Sequence, residues 1–410
     1  MSETIDTVIV GGGQAGLAVS YHLTRLGRPH VVLEQAPQAG EAWRNHRWDS
    51  FTLVTPNWML QLPGMPYAGP DPDGYLSKSE IVAYLEQYAG QFRLPVHYRT
   101  RVTAVQQNGH GYLVTTNRNV YEAAHVVMAT GSFQSPKTGP AGLALPADIV
   151  QTHAGAYRNP QMLPPGAVLV VGSGQSGCQI AEELYQSGRK VYLSIGRTGR
   201  VPRCYRGKDI TWWLRQIGYF DRPVDRLPSP KAKFDGNPQV SGAHGGHSLN
   251  LHQFVRDGVT LVGRLQAANG HHLRLASDVK DNLARIDAFE ADLLKSIDGF
   301  IENAGVAAPR ESVPRLRDGY QAEPVTELDL KAAGVGTVIW ASGYAFDYSL
   351  VRLPVFDEDG YPVQRRGVTA YPGLYFVGLT WLHMHKSALL WGVGDDAAFV
   401  AAAIDGREAG

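Results

Sequence analysis

Two cysteines in 410 residues, Cys178 and Cys204, are too few and too widely spaced for a disulfide framework or a C-x-x-C redox pair. Excess charge is lacking as well. The 38 Lys and Arg balance 38 Asp and Glu, so bulk electrostatics favours neither a nucleic-acid backbone nor an anionic membrane surface. No apolar run approaches the roughly 18 residues that span a bilayer, and the opening MSETIDTVIV has no basic stretch ahead of an apolar core. The 14 histidines are scattered, without an H-E-x-x-H or a Cys/His ligand spacing. What remains is a globular chain, expected to be cytoplasmic, with small molecules as partners and no nucleic acid, membrane span or metal site. Nothing in the sequence bears on its oligomeric state.

What is present is one sentence written twice: VIVGGGQAGLA at residues 8–18 and LVVGSGQSGCQ at 169–179. Each G-x-G-x-x-G sits between a β-branched run and a helical pattern, and each helix leads to another strand, HVVLEQ (30–35) and KVYLSI (190–195). Gly11 and Gly172 permit the tight turn, Gly13 and Gly174 let a pyrophosphate approach the backbone, and Gly16 and Gly177 let helix and strand pack closely. Gln14 and Ala15, with Gln175 and Ser176, open the two helices, whose N-termini offer N–H groups to phosphate. The fold expected is α/β, with two doubly wound dinucleotide-binding domains, the second inserted into the first. Its boundaries are expected at 1–150 and 321–410 for the first dinucleotide-binding domain and 151–320 for the second. Further helices are predicted over DITWWLRQIG, 277–305 and 395–406, and strands over 337–344 and 373–378.

The ends of the second strands distinguish the two copies. Glu34 stands where a carboxylate accepts hydrogen bonds from ribose hydroxyls, which suits FAD. The second copy has no acid there and runs into SIGRTGR, where Arg197 and Arg200 suit the 2′-phosphate of NADPH, a solvated loop being the alternative.

These motifs resemble the class B flavin monooxygenases, including the flavin-containing monooxygenases, the YUCCA-like enzymes and related bacterial flavoproteins. GEAWRNHRWDS (40–50) is similar to a G-x-x-W-R segment of that family, which implies that Trp43 and Arg44 lie near FAD. VVMATGSFQSP (126–136), with Gly131, and VIWASGY (338–344) look like its two A-T-G crossings between domains, and HAGAYRNP (153–160) is similar to the end of its fingerprint. The Phe and Gly expected upstream are replaced by Ala147 and Ile149, which argues against a Baeyer–Villiger enzyme.

The resemblance implies hydride transfer from NADPH to FAD, a C4a-(hydro)peroxyflavin, and insertion of one oxygen atom of O2 into a small substrate, the atom attacked being N, S or C. Without a C-x-x-C pair, a disulfide exit for the electrons is closed, and such an adduct needs an apolar, lidded pocket. Its expected walls are LVTPNWMLQLPGMPY (53–67) and GLTWLHMHKSALLWGVGDDA (378–397). In the first, Asn57 falls near, about a residue out of alignment with, an asparagine that the family uses at the flavin, or is a turn residue. In the second, Asp395 opens a helix beside the flavin edge, or merely caps it. Arg203, Arg206 and Lys208 around Tyr205 could steady phosphates, admit an anionic substrate or face solvent. The alternatives in function are an NAD(P)H:acceptor reductase without oxygen insertion and a redox-sensing regulatory flavoprotein.

Overall fold

Strand Ser2–Val10 threads the centre of the first sheet, parallel to His30–Leu33 on one side and to Val120–Met128 on the other. Residues 8–10 and 30–33 are buried, and their run of Val, Ile and Leu is what a parallel strand covered on both faces requires. In this computed structural model, residues 2–109 and 111–406 are described. The first sheet continues through Leu374–Phe376, parallel to Val120–Met128, and through Val96–His97, parallel to His30–Leu33. A hairpin, Val102–Asn108 with Gly111–Thr116, adds antiparallel strands to it. Helix Gln14–Arg25 packs Leu17, Ala18 and Leu23 in one core with Val393, Ala397 and Val400 of helix Val393–Ile404.

The second sheet is wholly parallel, in the order Val150–His153, Val335–Trp340, Ala167–Val171, Val191–Ser194, Thr260–Val262. Helix Gln175–Gln186 covers it with Cys178, Ile180, Ala181 and Leu184. Helix Val279–Ala304 turns Leu283, Ile286, Leu293 and Ile297 inward at helical spacing and leaves most of its charged residues outside, Asp287 and Glu290 excepted. The division expected between residues 320 and 321 is displaced. Strand Glu327–Asp329 pairs with His272–Leu275, and Val335–Trp340 lies between two strands of the second sheet, so the chain returns to the first body only after Trp340.

The two crossings between the bodies are zipped to one another. Ser135–Pro136 pairs antiparallel with Tyr344–Ala345, Lys137 N–H donates to the Gly343 carbonyl (3.0 Å), and the Ser342 hydroxyl donates to the Lys137 carbonyl (2.5 Å). A separate strap, residues 45–51, reaches from the first body to the second. Asp49 N–H donates to the Arg158 carbonyl (2.7 Å), and the Asp49 carboxylate accepts from Asn159 and Lys78, each at 2.7 Å. Among the described residues no helix is long and apolar enough to cross a membrane.

Candidate functional site: two dinucleotide turns and an aromatic wall

Both glycine turns adopt the same geometry. Gly11 and Gly172 hold φ of +110° and +109°, closed to most side chains, and a Cβ on either would meet a carbonyl at 2.6 Å, that of Ala129 or of Ala341. A Cβ on Gly16 or Gly177 would collide with the carbonyl of Gly11 or Gly172, so these glycines are the price of close helix–strand contact. Gly13 and Gly174 differ: a Cβ there meets nothing within 4 Å. Each is the N-cap of its helix, and no side chain caps either one. The first-turn N–H groups therefore face open space with the positive end of the helix dipole behind them, a cradle that fits a pyrophosphate.

The ends of the two second strands differ. Glu34 is buried, its carboxylate accepting from Gly12 N–H (2.7 Å) and Ala36 N–H (2.8 Å). The carboxylate is thereby fixed, with lone pairs left for ribose hydroxyls. In the second copy the equivalent link is neutral, the Ser173 hydroxyl accepting from Gly196 N–H (3.0 Å). Arg197 then projects outward, its side chain 71% exposed and 4.0 Å from Asp235. Arg200 does not join it. Its buried guanidinium lies 2.7 Å from both Asp287 and Glu290 of helix Val279–Ala304, so a second anion would have to displace two carboxylates. Its expected role on the 2′-phosphate is corrected to a structural one.

Of the other candidates, Gln14 donates to the Ala388 carbonyl (2.7 Å), tying the first turn to the 378–391 segment. Ala15 is buried where a Cβ on Gly378 would strike it. Gln175 is engaged with Pro238 and Val240, and Ser176 is half-buried. Trp43 packs partly buried on the first core, and Arg44 pairs with Glu86 at 2.6 Å. Gly131 holds φ +71° just past the carboxyl end of Val120–Met128. Asn57 is buried with both ends of its amide committed, donating to the Asp71 carbonyl and accepting from Leu76 N–H, each at 2.8 Å. It pins the 71–76 loop, which favours the turn reading over a catalytic one. Asp395 is not the cap of its helix, which is Gly392, and its exposed carboxylate pairs with Lys386 at 2.9 Å.

The 53–67 and 378–397 segments meet in an aromatic cluster that draws on both bodies. Trp58, Phe220 and Trp391 meet edge to face, with centroids at 6.3 Å for Trp58–Trp391 and 5.5 Å for Phe220–Trp391. His385 is boxed by Tyr219, Phe220 and Trp381 at 4.8–5.7 Å and bonds to Asn237 at 3.0 Å. Burial, aided by Arg222, pushes its pKa down to about 4, so the ring is neutral. Next to it opens a cleft of about 490 Å³ bordered by His383, Lys386, Ser387 and Asp396. Asp396 is buried, and desolvation, opposed by Ser387 and Arg366, pushes its carboxyl up to about 6.

The thiols contribute no redox pair. Cys178 is fully buried with its Sγ 3.4 Å from the Ser173 carbonyl, and desolvation pushes its pKa up; Cys204 is pushed up by the same cause.

Sequence reading missed Arg47, Phe133 and Tyr344, which gather between the two turns. Phe133 and Tyr344 lie just past the two crossings' glycines, with ring centroids 5.2 Å apart. The signal available was a cation between aromatics in WRNHRW and an aromatic after each A-(T/S)-G.

Two glycine turns open to a pyrophosphate, each beyond the carboxyl ends of the parallel strands of its own sheet and joined across Phe133 and Tyr344, define a two-nucleotide oxidoreductase. Residues 8–215 match the pyridine nucleotide-disulphide oxidoreductase family, and the chain belongs to it, as a class B flavin monooxygenase-like flavoprotein with FAD and NADP(H) as the cofactors of its group. An uncharacterized CzcO-like oxidoreductase of Geobacillus kaustophilus is 34% identical over 98% of both chains. A probable indole-3-pyruvate monooxygenase of Arabidopsis thaliana, YUCCA4, is 33% identical over 49% of both. Among solved structures, the flavin-containing monooxygenase from Stenotrophomonas maltophilia shares the fold, with a TM-score of 0.68, 21% identity and coverage of 98% of this chain and 99% of that one.

Proposed function

We propose that the chain is an NADPH-dependent FAD monooxygenase acting on a small organic substrate. NADPH, a proton, O2 and substrate give NADP⁺, water and a product carrying one oxygen atom. When bound, the flavin supplies hydride acceptance and oxygen activation. The observation that carries the reading is the pair of matching turns, with open space over Gly13 and Gly174 and the crossings between them in contact.

Gly11, Gly13, Gln14, Ala15, Gly16 and Glu34 hold FAD, with Trp43, Arg44 and Gly131 close by. Gly172, Gly174, Gln175, Ser176, Gly177 and Arg197 hold NADPH. Trp58, Phe220, Trp381 and Trp391 keep water from the reacting centre, and His385 adds no charge to that wall. The 151–340 span is the NADPH-binding domain, set within the FAD-binding one.

The test is stoichiometry with labelled oxygen. FAD-loaded protein, NADPH and ¹⁸O₂ are mixed with indole-3-pyruvate, trimethylamine or methyl phenyl sulfide, and NADPH loss, peroxide and labelled product are measured. One ¹⁸O atom in a product for each coupled NADPH is expected. NADPH oxidation that runs equally fast without oxygen on a quinone, with no label in any product, would replace this reading by a reductase.

A further inference from the structure

Arg47 rides on the 45–51 strap and has no counter-charge among the described residues. Its guanidinium carbon lies 5.2 Å from the Trp43 ring centroid, 5.5 Å from Phe51 and 5.2 Å from Phe133. Its only hydrogen bond goes to the carbonyl of its neighbour His46 (2.8 Å), and among the described residues no carboxylate pairs with it. The arginines around it are spent: Arg44 on Glu86, and Arg158 on the carbonyls of Gly155, Tyr157 and Asn45. Three rings orient a guanidinium but neutralise no charge. Desolvation pulls its pKa below the usual arginine range, yet a guanidinium does not deprotonate. A half-buried cation without an anion is what remains.

Its place says what kind of anion would meet it. Phe133 follows the carboxyl end of Val120–Met128 in the first sheet. Tyr344, which touches Phe133 and lies 4.7 Å from the His153 ring, follows the carboxyl end of Val335–Trp340 in the second. Ligands of parallel sheets sit beyond those carboxyl ends. Arg47 therefore stands where the two nucleotide sites open toward each other. The strap is held there by Asp49 on Arg158, Asn159 and Lys78.

We propose that Arg47 binds an oxyanion of the ligand that enters between the two turns, either a carboxylate of the substrate or a phosphate of NADP(H). The proposal rests on the monooxygenase reading, but its test needs no turnover. FAD-loaded wild type, Arg47→Met and Arg47→Lys are titrated calorimetrically with NADP⁺, with indole-3-pyruvate and with uncharged indole. The Met variant keeps the packed stem, and FAD content and thermal midpoint verify its fold. A charge-assisted contact predicts roughly tenfold or more weaker binding of one anion by Arg47→Met, partial rescue by Arg47→Lys, and no change for indole. Loss confined to NADP⁺ identifies the phosphate, and loss confined to indole-3-pyruvate identifies the substrate carboxylate. Binding of both anions at wild-type strength by Arg47→Met overturns the proposal, as does a folded wild type that binds neither. A wild type that binds FAD but not NADP⁺, while Arg47→Met weakens indole-3-pyruvate, leaves Arg47 standing and removes the NADPH reading instead.

Discussion

Replacing Arg200 by Met tests whether the arginines of the second copy divide their labour. Arg200 is 4% exposed, and its partners Asp287 and Glu290 are 30% and 12% exposed. Asp287 also accepts from the Tyr320 hydroxyl (2.6 Å) and faces His252 at 3.3 Å. Removing the guanidinium strands two carboxylates, and breaking a buried pair costs about 3–5 kcal/mol. Because water reaches Asp287, the lower end, about 3 kcal/mol, is expected. For a unit of this size that corresponds to roughly 6–12 °C in Tm. The assay is thermal unfolding of the FAD-loaded protein beside steady-state KM values for NADPH and NADH. Arg200→Met should lower Tm and leave the ratio of the two KM values unchanged. Arg197→Met should do the reverse, holding Tm and raising KM for NADPH by about tenfold or more.

The pH dependence has a defined sign. Desolvation works against the Asp287 charge, but the Tyr320 hydroxyl and Arg200 outweigh it and hold its pKa below the usual value. The stabilisation is present above the ordinary carboxylate pKa and is lost as pH falls through the folded one. The gap between wild type and Arg200→Met should therefore narrow in acid. An Arg200→Met protein with unchanged Tm and a selective loss of NADPH would refute this division.

Three further outcomes are expected. Gly13→Val should give folded but colourless protein, since its side chain enters only the phosphate space, whereas Gly16→Ala should lower Tm sharply through the Gly11 carbonyl; circular dichroism and flavin absorbance separate the two. Asp396, raised to about 6, contributes stability that declines as pH rises from the ordinary carboxylate pKa to that value. Asp396→Asn should therefore gain on wild type between pH 4.5 and 7.5 by about 2 kcal/mol in denaturant melts, and a constant gap would contradict the burial argument. Trp391→Ser should raise peroxide release per NADPH while FAD stays bound; loss of FAD would mean that Trp391 supports the fold instead of the wall.

Legibility in the sequence followed the range of the interactions. The two glycine turns, their helices and Glu34 could be read because each is decided by residues within one β-α-β unit. The same reading placed Val335–Trp340 in the wrong body, since its neighbours are Val150–His153 and Ala167–Val171, far upstream. Arg200 looked like Arg197 because both sit in SIGRTGR; its carboxylate partner Glu290 lies 90 residues on. Asn57 and Asp395 were chosen by alignment of a short motif, which says nothing about where an amide or carboxylate points. The 378–391 wall was legible as composition, but its partner Phe220 sits in a loop without periodicity.

The paired crossings have a consequence for how such a chain can be built and taken apart. Ser135–Pro136 and Tyr344–Ala345 are antiparallel neighbours, with Lys137 bonded back to Gly343. That is the geometry of a β-hairpin whose turn has been replaced by a folded body. The body enters and leaves through adjacent points, so its insertion asks no wide gap of the host and adds little loop-closure entropy once it folds. A two-residue Asn-Gly turn joining residues 136 and 344 would close this two-stranded ribbon without shifting its register. The excised span would carry its own termini side by side, ready to be expressed alone or spliced into another hairpin.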